Sequence, residues 1–176
     1  MRVVVLAWGN ETRGDDGLGP AMAARIEALG LAHVRVIEDF QLQIEHALDL
    51  VGQDLVLFID AGQGTPAPFV FAPAVARRGM THSSHGLSPE AVLDVFAQVR
   101  GVAAPPAFTL CLRGEAFGLS ESLSSPAQAR LEAAMAFLAP LLTAPSLPLW
   151  RAAVTPGGAA GLSPPPPALS LRRAGG

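Results

Sequence analysis

The chain has 176 residues, half of them hydrophobic and 15% charged, with a net charge of −3. That length can bury a sizeable core, and the acidic balance gives no reason to expect nucleic acid as a partner. Mean hydropathy is positive at +0.37, yet the apolar runs are strand-length and break well before the roughly 18–20 residues of a membrane-spanning helix. All twelve basic residues are Arg, a compositional bias rather than a functional signal. No secretory leader is evident at the N-terminus. Cys111 is the single cysteine, so neither an internal disulfide framework nor a cysteine zinc site is available. A soluble cytoplasmic protein, with no membrane or nucleic-acid partner, is expected.

Taken in order, residues 2–8 form a near-continuous apolar run, the pattern of a strand buried on both faces of a parallel sheet. A glycine-rich turn follows, Gly9-Asn10-Glu11-Thr12-Arg13-Gly14-Asp15-Asp16-Gly17. Gly19-Pro20 marks a helix start, because proline lacks only an N–H that the first turn leaves unpaired anyway. Met22, Ile26 and Leu29 then repeat at helical spacing. Residues 34–38 are the second strand, ending at Asp39. Residues 43–51 make a short helix, and 54–60 a third, fully apolar strand ending at Asp60.

Phe69-Val70-Phe71, set between prolines, predicts a short edge strand. A polar stretch with His82 and His85 precedes a helix opened by Ser88-Pro89, with Ser88 as its cap. Residues 108–113 are a further strand, and Ser125-Pro126 opens the last helix, through Leu142. From Pro145 onward the composition turns to proline and glycine, with four prolines at 164–167. Residues 1–144 are therefore read as one domain and 145–176 as a flexible tail, with Trp150 able to anchor its start.

Strands alternating with helices predict a doubly wound, mostly parallel sheet flanked by helices, a three-layer α/β/α sandwich. Such sheets bind ligands beyond the carboxyl ends of the strands. Asp15 and Asp16 follow the first strand, Asp39 the second and Asp60 the third, and His85 lies in a loop before a helix. Two carboxylates and an imidazole meeting there suit a transition metal. They also suit acid and base work without metal.

Each residue alone has an ordinary explanation. Asp15 and Asp16 can complement a helix N-terminus. Asp60 can close a turn, Asp39 can be a solvated strand end, and His82 and His85 can be surface residues. Cys111 reads as packing between Leu110 and Leu112. The glycines at 9, 14, 17 and 19 do not spell a dinucleotide fingerprint, and no serine sits in a nucleophile elbow. A phosphate-binding module built on the first helix is disfavoured by Asp15 and Asp16.

The runs Val5-Leu6-Ala7-Trp8-Gly9-Asn10 and Gly14-Asp15-Asp16-Gly17-Leu18-Gly19 resemble the N-terminal signature of the [NiFe]-hydrogenase maturation proteases. The likeness continues through Asp39, Asp60-Ala61 and His85, and spans roughly residues 1–142. It implies a doubly wound α/β fold. It also implies an endopeptidase that trims the C-terminus of a hydrogenase large-subunit precursor. Asp16, Asp60 and His85 would be its metal-contacting and catalytic residues. They would read nickel supplied by the precursor, with no organic cofactor. Gly9, Asn10, Asp15 and Asp39 are expected to lie along the substrate, with Asp15 also an orienting or helix-capping neighbour of Asp16. A checkpoint or chaperone that senses nickel without cutting would use the same cleft. Many members carry Asp-Gly-Gly-Thr after the second strand. Here Asp39-Phe40-Gln41-Leu42-Gln43-Ile44-Glu45-His46 resembles the branch serving soluble, NAD-linked bidirectional hydrogenases, as does His85-Gly86-Leu87-Ser88-Pro89.

Overall fold

A computed structural model describes residues 1–77, 86–119 and 121–156. Five strands form one sheet: β1 (Val3–Trp8), β2 (Val34–Asp39), β3 (Leu55–Gly62), β4 (Phe69–Ala74) and β5 (Ala107–Arg113). Their order is β2-β1-β3-β5-β4. The first three and β5 run parallel; β4 pairs antiparallel with β5 at the edge. Pro73 lies in β4, which tolerates it because an edge strand has one side without ladder partners.

Period-two alternation divides the core. Val3, Val5, Leu55, Leu57, Leu110 and Leu112 point to one face, where Met22, Ile26, Leu131 and Leu138 pack on them. Met22 and Ile26 come from α1 (Leu18–Glu27), and Leu131 and Leu138 from the long helix at Ser125–Thr143. Val4, Leu6, Val56 and Phe58 point the other way, toward Val92, Leu93 and Phe96. That second cover is α2 (His46–Asp49) and α3 (Pro89–Arg100). With α4 (Ser125–Thr143) beside α1, the result is the expected three-layer sandwich.

Helix ends follow local chemistry. Ser88 caps α3, its hydroxyl accepting from the Ala91 N–H at 3.2 Å. Gly101 closes that helix at φ 68°. The cap of α4 is Ser124 rather than Ser125; its hydroxyl accepts from the Ala127 N–H. The second helix is shorter than the 43–51 periodicity predicts: the N–H groups of His46, Ala47 and Leu48 donate three residues back, to Gln43, Ile44 and Glu45, as in tight turns.

The compositional break at Pro145 does not end the packed chain. Residues Leu147–Ala152 form a further helix, α5, capped by Ser146. Trp150 is fully buried, donates its indole N–H to the Leu141 carbonyl at 3.0 Å, and meets Phe71 and Phe108 edge-on. Thr155 continues the attachment: its N–H donates to the Phe71 carbonyl at 2.9 Å. Packed chain therefore extends through Thr155, and the four prolines at 164–167 lie outside the described residues. Trp150→Ala should destabilise the fold by about 3–5 kcal/mol, the usual scale for emptying an aromatic site in a core. A urea titration monitored by circular dichroism measures it.

Candidate functional site

The sheet order reverses between β1 and β3: β2 lies to one side of β1 and β3 to the other. The turn after β1 and the end of β3 meet at that point. Between β1 and α1 the chain makes a short 3-10 turn, Gly14–Gly17. It folds tightly back on the strand it leaves. Gly9 is buried with φ 146°, and a Cβ there would overlap the Asp16 carbonyl oxygen. A Cβ on Gly19 would overlap the Trp8 carbonyl oxygen. Gly9, expected to lie along a substrate, also permits a close approach between two parts of this chain.

Asn10 builds the turn from within. Its side-chain oxygen accepts from the Thr12 N–H at 2.9 Å and the Thr12 hydroxyl at 2.7 Å, an Asx arrangement. Its backbone N–H donates to Asp16 Oδ2 at 3.0 Å. Asp16 is partly exposed and so remains open to a ligand.

Asp15 behaves differently from its neighbour. It is inaccessible to solvent. Its carboxylate accepts from the N–H groups of Glu115, Ala116 and Ser124 and from the Ser124 hydroxyl, at 2.8 to 3.0 Å. Burial alone would raise its pKa, but the bonds from Ala116, Glu115 and Ser124 outweigh it and hold the carboxyl below its ordinary value. Its acceptors are thus taken up inside the protein.

Asp60 lies near the end of β3, partly accessible, with one carboxylate oxygen accepting from the Ala61 N–H at 2.7 Å. That single bond does not offset its desolvation. Burial, with the negative charge of Asp16 nearby, pushes its pKa up to about 7. Two carboxylates within electrostatic reach, one of them short of hydrogen bonds, form a site that favours added positive charge, as a proton or a metal ion.

The other expected residues divide. Asp39 serves its own loop: its carboxylate accepts from the Phe40 N–H at 2.6 Å and the Gln43 side chain at 3.2 Å, and faces His46 Nε2 at 3.6 Å. His46, buried and with Nδ1 accepting from Gln43, must carry its neutral-form proton on Nε2, toward Asp39. Sequence reasoning did not single out His46; the signal was an imidazole on the inward side of a short helix. Cys111 is the register partner of Asp60 and is partly exposed, not fully packed. Its thiol pKa is raised to about 11, mainly by burial, despite a contact with the Thr65 hydroxyl at 3.1 Å, which favours the protonated thiol. His82 and His85 lie outside the described residues. The chain returns at Gly86, where an added Cβ would press on Gln41 and Leu42 of the loop after β2. The Leu87 N–H donates to the Leu42 carbonyl at 3.0 Å. Among the described residues, no three His, Cys, Asp or Glu side chains group closely enough to hold a metal.

This fold is the one found in the hydrogenase maturation proteases. The chain is similar to the [NiFe] hydrogenase maturation protease HycI from Thermococcus kodakarensis, with a TM-score of 0.65 and 25% identity, over 81% of this chain and 93% of that one. It is also similar to the hydrogenase maturating endopeptidase HybD from E. coli, with a TM-score of 0.60 and 21% identity, over 80% and 92%. The hydrogenase 2 maturation peptidase from a Thaumarchaeota archaeon shares the architecture at a TM-score of 0.57 and 23% identity, over 80% and 98%. No protein-family model and no curated protein matches the sequence. Among the described residues, no helix is long and apolar enough to cross a membrane.

The raised pKa of Asp60 sets a pH dependence of stability. Between 3.8 and about 7, the folded chain keeps a proton that the unfolded chain releases. The contribution of Asp60 is thus fully present below 3.8 and lost as pH rises through about 7. Asp60→Asn, neutral throughout, should melt at a higher temperature than the unsubstituted protein at pH 8, with a smaller gap at pH 5. Thermal melts at the two pH values measure the difference.

Proposed function

We propose that this protein is an endopeptidase of [NiFe]-hydrogenase maturation, which removes a C-terminal peptide from a nickel-loaded large-subunit precursor. The observation that carries the reading is the pairing of Asp16 with Asp60 at the switch point of the sheet, where one carboxylate raises the proton affinity of the other. The likeness in fold to proteases of this activity supports the same reading.

Nickel enters as part of the substrate. Asp16 and Asp60 offer it hard oxygen donors, and the electrostatic strain between them is relieved by a cation. His85 is assigned as the third contact on the sequence resemblance. When bound, the metal can polarise a peptide carbonyl or lower the pKa of a water. The work of this chain's own residues is orientation: holding the scissile bond in a reactive geometry next to the cleft. The cytoplasm is the proposed compartment. The loop from Phe40 to His46, which replaces the common glycine-rich version, favours a precursor of the soluble, NAD-linked class.

The test is mass spectrometry of purified precursor after incubation with the protein. Nickel-loaded precursor should lose its C-terminal peptide, and precursor made without nickel should stay intact. Asp16→Asn, Asp60→Asn and His85→Ala should each lower the cleavage rate by more than about a hundredfold, beyond what loss of a supporting contact to a metal ligand costs. Uncut nickel-loaded precursor in a stable complex would replace the protease by a nickel-sensing checkpoint.

A further inference from the structure

Asp15 and Asp16 are adjacent in sequence and opposite in environment. Asp16 is partly open; Asp15 is sealed beneath the segment that links β5 to α4. The attachment runs through the main chain as well as the carboxylate. The Asp15 N–H donates to the Ala116 carbonyl at 2.6 Å, and the Gly14 N–H to the Glu121 carbonyl at 3.0 Å. Gly14 takes φ 57°, and a Cβ on it would overlap the Ala116 carbonyl oxygen. The turn is therefore held immediately before Asp16, the residue whose charge reaches Asp60.

We infer that Asp15 is a positioning residue for Asp16: its buried carboxylate, bonded to Glu115, Ala116 and Ser124, locks the turn that sets Asp16 beside Asp60. An ionised carboxylate can accept all four bonds. An amide in its place would turn an NH2 group toward donors and lose part of the clamp. Ser124 is the most selective handle. Its hydroxyl donates to Asp15 at 3.0 Å while accepting from the Ala127 N–H at the start of α4. Threonine keeps both functions and alanine removes both.

The consequence can be read without substrate, at the Asn10 N–H that donates to Asp16 Oδ2 at 3.0 Å. Loss of general stability quickens exchange at core amides as well, so movement of Asp16 is read as a change at Asn10 beyond that at the Val5 amide. The kinetic arm rests on the protease reading, and the amide arm does not.

The experiment compares full-length Asp15→Asn, Ser124→Ala and Ser124→Thr with the unsubstituted protein, by NMR hydrogen exchange and by cleavage of nickel-loaded precursor. In Asp15→Asn, exchange at Asn10 should quicken by at least about tenfold relative to the Val5 amide in the core. Its kcat should fall about a hundredfold, with KM changed less than threefold, the signature of misplaced rather than missing groups. Ser124→Ala should show the same changes more weakly, and Ser124→Thr should match the unsubstituted protein. A folded Asp15→Asn with undisturbed Asn10 exchange overturns the inference. So does Asp15→Asn with a lowered melting temperature but an unchanged kcat. Should Asp15→Asn not fold, equal Asn10 exchange in the two Ser124 variants overturns it. Absence of cleavage by the unsubstituted protein would reject the protease reading, while the exchange data still decide the role of Asp15.

Discussion

A carboxylate removed from water must find its hydrogen bonds inside the protein, and the structure around the site is arranged to meet that demand at Asp15. The segment after β5 and the start of α4, 100 to 109 residues on from it in sequence, converge on its two oxygens. Much else follows from this convergence. Gly14 must adopt a left-handed conformation to bring the turn against Ala116. An added Cβ on Gly114 would come within 3.0 Å of the Asp15 Cβ. Ser124 joins the clamp to the N-terminus of the longest helix.

Three carboxylates close to one another thus meet three electrostatic fates. Asp15 is buried with its bonds satisfied and stays ionised. Asp16 keeps one backbone partner and partial exposure. Asp60 is desolvated with one backbone bond and a negative neighbour, so its proton affinity rises. The difference lies in the supply of donors, since all three are the same side chain. A buried acid that is fully bonded works as a structural clamp. One short of donors holds its proton more tightly.

The position of this pair follows from topology. In a sheet ordered β2-β1-β3-β5-β4, the strand order reverses between β1 and β3, which brings the turn after β1 against the end of β3. The alternation that sends Val56 and Phe58 toward α3 places Asp60 on that same face. The covering layers hold the sheet from both sides, and α5 completes one of them by seating Trp150 among Phe71 and Phe108.

Most of the architecture was legible in the chain. Runs such as Val3 to Trp8 and Leu55 to Ile59 are apolar because parallel strands are covered on both faces, and Ser-Pro pairs announce helix starts because the cap and the fixed φ are local effects. Prolines around Phe69 to Phe71 marked an edge strand for an equally local reason. Composition misled at Pro145, because proline and glycine report chain stiffness and not burial, and a single Trp side chain outweighed them there. The site was legible only as a set of strand-end acids. Nothing in the adjacency of Asp15 and Asp16 tells which is sealed and which is open, and nothing around Asp60 states that it will be short of donors. Periodicity and capping act over a few residues and are written into the sequence; the fate of a charge depends on which distant backbone groups arrive beside it, and packing alone decides that.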